Sequence, residues 1–176
     1  MQKIDICVIG DVYVGKSSLV ASLSKQNTNT QPTIGVEVDF YTIGNVKLRF
    51  WDTSGHKEFR DFIGSYYKKS DVVMIVVSYD RLDRFEYWYN TVKHHVPDKP
   101  ILLCINKVDL CPNKWSKLSS CVNGFDVDHV FLTSMYIRDK TLKQCIKTIL
   151  SLKPSVRPVH IENPQPVSSL HCCIIV

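Results

Sequence analysis

The residues best suited to chemistry stand in three short stretches. The first is "GDVYVGKS", Gly10 to Ser17. It follows the apolar, alternating run "KIDICVIG" and precedes "KSSLVASLSK", whose Leu19, Val20 and Leu23 fall on one helical stripe. A glycine-rich loop between strand and helix, ending Gly-Lys-Ser, is suited to capturing phosphate. Its backbone N–H groups wrap an anion, and the helix N-terminus adds a partial positive charge. In that pattern Lys16 reaches the β- and γ-phosphates and Ser17 holds Mg2+. The pattern names a phosphate and leaves the base open.

The second stretch is "NKVD", Asn106 to Asp109, after the apolar run "ILLCI". Ligands of open α/β sheets bind at such strand ends. A carboxylate there can accept hydrogen bonds from the N1–H and exocyclic amine of guanine, a donor pair that adenine lacks, so Asp109 is the candidate specificity element. Asn106 could tie this loop to the phosphate loop, with the Lys107 stem covering the base. A solvated loop at a strand end is the ordinary alternative, and it loses weight once a phosphate loop is present. The third stretch, "WDTSGHKEF", places Asp52, Gly55 and His56 together. His56 reads either as a catalytic base or as a replacement for another residue.

The elements that must position these residues follow from periodicity. "VEVDFYTI" and "VKLRFWD" flank Gly44-Asn45, a two-residue hairpin turn. "VVMIVV" and "ILLCI" are continuous apolar runs, the signature of parallel strands covered on both faces. Between them Phe85, Trp88, Tyr89 and Val92 repeat at helical spacing, a core stripe. "HVFLT" is a further strand, and Leu142, Cys145, Ile146, Ile149 and Leu150 mark a last amphipathic helix. Strand and helix alternate, which predicts an α/β fold with a mostly parallel central sheet, one antiparallel edge strand and helices on both faces. Residues 1–153 form the predicted domain. From Pro154 the prolines cluster without any period, so 154–176 is expected to be a flexible tail.

Composition narrows the class. The chain of 176 residues is 44% hydrophobic and 22% charged, ordinary for one globular domain. Its net charge of +5 comes from scattered basic residues, a solvated surface and not a nucleic-acid stripe. Seven cysteines without C-x-x-C or zinc-type spacing, and no signal peptide, point to reduced thiols in the cytosol. No apolar run approaches the ~20 residues of a membrane span.

With "PTIGVEV" and "FLTSM" added, the motifs occur in the order and spacing of the small GTPases of the Ras superfamily. The resemblance covers roughly residues 3–152, a P-loop GTPase fold. "KLRFWDTSG", "FRDFIGSYYKKS" and the ending "CCIIV" look most like the Rab branch, with Rho or Ras proper as alternatives. The resemblance implies that Asp11, Val12, Tyr13, Val14, Gly15, Lys16, Ser17 and Ser18 surround bound GTP or GDP. It implies that Thr33 and, through water, Asp52 join Ser17 in holding Mg2+, and that the Gly55 N–H contacts the γ-phosphate. Ser134 and Met135 resemble the loop whose backbone touches the guanine oxygen. Tyr136 stands where a Lys is usual. The implied partners are effectors through Thr33 to Val38 and Gly55 to Tyr67, an exchange factor, a GTPase-activating protein and a membrane. The implied state is a monomer on the cytoplasmic face of intracellular membranes, with a cytosolic pool.

Two departures bear on catalysis. The family has Gln at the position of His56, where it orients the attacking water. Phosphoryl transfer depends on positioning and charge stabilisation more than on a base, so His56 reads as a replacement with impaired activity; a working substitute is the competing reading. Small residues are usual at Val12 and Tyr13, and bulk at Val12 crowds the same place. The chain therefore reads as a Rab-like switch in vesicle traffic with slow hydrolysis. The alternative is a protein that stays GTP-bound and binds effectors almost without hydrolysis. A P-loop kinase or other ATPase fits less well, because "NKVD" and "TSM" select guanine. At the C-terminus Cys173 fits C-a-a-X prenylation, and Cys172 is the second expected lipid site, because one chain anchors only marginally.

Overall fold

The computed structural model describes residues 1–24, 32–110, 121–134 and 139–152. The expected tail with Cys172 and Cys173, together with Met135 and Tyr136, lies outside the described residues.

The chain begins with β1 (Gln2–Ile9), whose inner residues Ile4, Ile6, Cys7, Val8 and Ile9 are all buried. A loop leads into α1 (Lys16–Ser24), followed by the hairpin β2 (Val36–Ile43) and β3 (Val46–Thr53). The two strands pair antiparallel with Ile43 opposite Val46, so Gly44 and Asn45 form the turn between them. Gly44 has φ 55°, a left-handed conformation that glycine adopts without strain. After a short 3-10 turn at Lys57–Phe59 comes α2 (Arg60–Lys69), then β4 (Val72–Ser78), every residue of which is buried. A second 3-10 turn at Tyr79–Arg81 leads to α3 (Arg84–His95), then β5 (Ile101–Asn106), β6 (His129–Leu132) and α4 (Asp139–Ser151).

The sheet has six strands in the order β2-β3-β1-β4-β5-β6. All neighbours pair parallel except β2 with β3, as the continuous apolar runs require. Alternation along the strands divides the core in two. Cys7, Ile9, Val73, Ile75, Leu103 and Ile105 face Ile63 and Tyr67 of α2 and Phe85, Trp88 and Val92 of α3. Ile6, Val8, Met74, Val76, Leu102 and Cys104 face Leu19, Val20 and Leu23 of α1 and Cys145, Ile146 and Ile149 of α4. The helical stripes expected from the sequence therefore meet opposite faces of one sheet. Each fully buried large apolar side chain contributes on the order of 1.5–3 kcal/mol. Cys7, Cys104 and Cys145 are buried free thiols and Cys121 is a half-buried one. Among the described residues, no helix is long and apolar enough to cross a membrane.

This arrangement fixes where a ligand belongs. The strands β1 and β4 are neighbours, yet the helix after β1 packs on one face and the helix after β4 on the other. A crevice opens at the carboxyl ends of the strands wherever connections diverge in this way.

Candidate nucleotide and cation site

The loop Gly10–Gly15 leaves the carboxyl end of β1 at that crevice and leads into α1. Gly10 has φ 147°, and a Cβ there would fall 2.1 Å from the Val76 carbonyl oxygen of β4. Only glycine lets the chain leave β1 so close to β4. Tyr13 is a left-handed residue, φ 62°, and is 73% exposed. Such a conformation is uncommon for a bulky residue, and strain of this kind gathers at functional sites.

Lys16 opens α1 with its ammonium buried inside the loop. Its Nζ donates to the carbonyls of Gly10 at 3.0 Å and Asp11 at 2.8 Å. Burial lowers its pKa to about 8, with Asp52 and Asp11 partly opposing that shift. A phosphate oxygen would supply the anion that this ammonium lacks.

Next to Lys16 lies a chain of oxygen atoms. Thr33 Oγ1 donates to Asp52 Oδ2 at 3.2 Å, and Ser17 Oγ lies 3.0 Å from Thr33 Oγ1, where it donates in turn. Asp52, the last but one residue of β3, lies opposite Val8 and is buried, as is Thr33. Burial raises the Asp52 carboxyl above its ordinary value, and the Ser17 and Thr33 hydroxyls and the Lys16 charge only partly offset it. Its Oδ1 is buried without a hydrogen-bond partner among the described residues. An orphaned carboxylate oxygen beside two hydroxyls is a hard, all-oxygen donor set, which suits Mg2+. The residues present fit the cation.

At β5 a second loop is tied to the first. Asn106 Nδ2 donates to the Val14 carbonyl at 2.8 Å, and Asn106 Oδ1 accepts from Thr133 Oγ1 at 3.0 Å. A Cβ on Gly15 would sit 2.3 Å from Asn106 Nδ2, so the loops are in contact. Lys107 turns the chain with φ 59°, and Asp109 is exposed in the 3-10 turn Val108–Leu110. Thr133 carries Ser134 to the same strand edge. Ser18, on α1, is partly buried.

The segment after Asp52 also lies on the phosphate loop. A Cβ on Gly55 would fall 2.3 Å from the Val12 nitrogen and 2.4 Å from the Asp11 carbonyl carbon. The His56 backbone N–H donates to Ser54 Oγ at 3.3 Å, while the side chain is exposed. Sequence reasoning missed the setting of Asp11. Its carboxylate accepts from Arg84 Nε at 2.6 Å and from the indole N–H of Trp88 at 3.2 Å. Burial, the largest single influence, raises that carboxyl, yet Arg84, Trp88 and Arg81 together hold it below its ordinary value. The missed signal was an acidic residue inside an anion-binding loop, which needs a cation from elsewhere in the fold.

A phosphate loop at the divergence point of an open parallel sheet makes this a nucleotide-binding domain of the P-loop class. Comparison with known proteins narrows the class. The family described as "Ras of Complex, Roc, domain of DAPkinase" matches residues 5–109. A "Probable Rab-related GTPase" of Acanthamoeba polyphaga mimivirus is 31% identical over 144 residues, 73% of this chain and 67% of that protein. Ras-related protein Rab-31 of Homo sapiens is 32% identical over 120 residues, 62% of each chain. A Ras and EF-hand domain-containing protein homolog of Caenorhabditis elegans is 36% identical over 115 residues, 60% of this chain but only 18% of that protein. The chain belongs to the small GTPases of the Ras superfamily and is most like the Rab branch.

Proposed function

We propose that this chain is a guanine-nucleotide switch that binds GTP and GDP with Mg2+ and hydrolyses GTP slowly. The observation that carries the reading is the Ser17–Thr33–Asp52 chain, buried at Thr33 and Asp52 and half-buried at Ser17, with its orphaned carboxylate oxygen, one residue from the buried Lys16 ammonium. Ser17, Thr33 and Asp52 are the residues that would hold the cation, whose charge would neutralise developing phosphate charge. Lys16 and the loop amides from Asp11 to Ser18 bind phosphate, Gly55 offers its N–H, and Asp109 reads guanine with Asn106 bracing the two loops. Ser134 and Met135 complete the base site.

Slow hydrolysis is supported by the bulk of Val12, whose backbone Gly55 adjoins, and by His56, exposed at the position where the family has Gln. The same two residues favour the second reading, a protein that stays GTP-bound and engages effectors. Nucleotide extracted from purified protein, followed by timed single-turnover hydrolysis, separates the two. Guanine nucleotide that turns over slowly supports the switch; GTP that persists unhydrolysed supports the second reading. Adenine nucleotide would overturn both.

Base choice has its own test. Asp109→Asn should lower GTP affinity and shift preference to xanthine nucleotides, because one edge of the base then meets a donor in place of an acceptor. The loss expected is at least about tenfold, the scale on which sites reject ligands that leave polar groups unpaired. Equal competition by ATP and GTP for the unmodified protein would refute the assignment.

Membrane attachment and a role in vesicle traffic belong to the same proposal. They rest on the C-terminal "CCIIV" and on likeness to Rab proteins. Cys173→Ser should move the protein from membrane to soluble fractions, and Cys172→Ser should weaken attachment in part, since a single lipid holds only marginally. A protein lacking both thiols that still sediments with membranes would remove the lipid proposal.

A further inference from the structure

The Asp11 carboxylate, 8% exposed, is the meeting point of three guanidinium groups from three elements. Arg84, the first residue of α3, engages both oxygens, through Nε at 2.6 Å and Nη2 at 3.4 Å. Arg81, in the turn after β4, lies 3.7 Å away. Arg60, the first residue of α2, reaches Oδ1 with Nη2 at 3.5 Å. Arg60 is also gripped from its other side. Its Nη1 donates to the Tyr87 hydroxyl at 2.9 Å, and its guanidinium lies 4.9 Å from the Tyr87 ring centroid and 5.3 Å from that of Trp88. The head of α2 is thus fastened to the phosphate loop and to α3 by contacts that use neither a phosphate nor Ser17, Thr33 or Lys16. Gly55 lies on the Asp11–Val12 backbone at the other end of the same segment.

We infer that Asp11 is a latch and Arg60 its positioning residue. Together they hold the segment Gly55–Lys69 on the phosphate loop whichever nucleotide is bound. The inference rests on the reading of the chain as a guanine-nucleotide switch and concerns how that switch is regulated. A segment ordered only by γ-phosphate contacts is released when those contacts go. Here a second set of contacts remains. Ionic hydrogen bonds to a nearly buried carboxylate are short-range and poorly screened, and removing the acceptor leaves cations unpaired. Arg84 occupies both oxygens more closely than Arg60 does, so Asp11 stays anchored to α3 while Arg60 makes the connection that fastens α2. A partner that binds α2 therefore meets nearly the same surface in both nucleotide states, and discrimination between the states falls to the Thr33 side of the site.

The test is amide hydrogen exchange of residues 56–69 in the full chain, loaded with Mg2+ and either GDP or a non-hydrolysable GTP analogue. In the unmodified protein the two states should differ by less than about threefold, because the latch closes both. Arg60→Ala and Asp11→Asn should each speed exchange in the GDP state by about tenfold or more and leave the GTP-analogue state nearer the original. The double variant should be no faster than the quicker single, since both break one contact. Arg60→Lys, which keeps the charge but loses the fork, should recover part of the protection. If Arg60→Ala fails to fold, Arg60→Gln takes its place. A difference above about tenfold between the nucleotide states of the unmodified protein, or unchanged exchange in both Arg60 variants, would overturn the latch. Samples that take up no guanine nucleotide would sink the switch reading instead. The latch is then judged on nucleotide-free protein, where Arg60→Ala must still accelerate exchange of residues 56–69.

Discussion

Replacing Val12 with Gly and His56 with Gln together should raise single-turnover GTP hydrolysis at least about tenfold, equivalent to about 1.4 kcal/mol of transition-state stabilisation. Neither change alone should do so. Gly55 packs on the Val12 backbone, and the next residue is His56. A water-orienting side chain leaving position 56 must share the space beside Val12, so Gln at 56 still meets Val12, and Gly at 12 still lacks the amide. An amide both donates and accepts, and phosphoryl transfer depends on that kind of placement more than on basicity. The two changes should therefore couple beyond additivity. Hydrolysis is measured at saturating Mg2+ for the original protein, both singles and the double. Should the original already match the double, and His56→Ala slow it, His56 is a working catalytic residue.

Gly10→Ala should cost on the order of 3 kcal/mol and lower the melting temperature by roughly 6–12 °C. The new methyl would lie 2.1 Å from the Val76 carbonyl oxygen and 3.2 Å from Val14 Cγ2. The first neighbour is backbone in the middle of β4, where Val76 pairs with Cys104 of β5, so relief requires moving two central strands. Nucleotide affinity should fall with stability, because the loop leaves β1 at this residue. Gly124→Ala is the control. Its φ is 88°, but a Cβ there meets nothing within 4 Å, and left-handed strain alone costs about 1–2 kcal/mol. Equal melting of the two variants would show that backbone conformation, and not the β1–β4 approach, fixes Gly10.

Much of this molecule was legible from local pattern. The runs "VVMIVV" and "ILLCI" could only be strands covered on both faces, and the stripe Phe85, Trp88 and Val92 could only be the buried side of a helix. Both are nearest-neighbour facts of periodicity, which a sequence carries in full. The phosphate-loop pattern was readable for the same reason: it is one contiguous stretch between strand and helix, of the kind whose backbone suits an anion.

What a contiguous stretch cannot encode is its distant partner. Trp88 reads correctly as core, yet its indole N–H also caps an acidic residue 77 positions earlier. Arg60, Arg81 and Arg84 read as scattered surface charge, and folding gathers all three on Asp11. The orphaned oxygen of Asp52 is likewise a product of burial between elements. By itself the sequence determined the six strands, the helices α1, α3 and α4 and the phosphate-loop pattern, because each depends on residue types a few positions apart; α2, which buries only Ile63, Gly64 and Tyr67, carries too short a stripe to be read that way. Tertiary structure alone decided which charges meet and which polar atoms are left without a partner. Ion pairing and desolvation depend on distance in space, and here the parallel sheet with helices on both faces sets those distances.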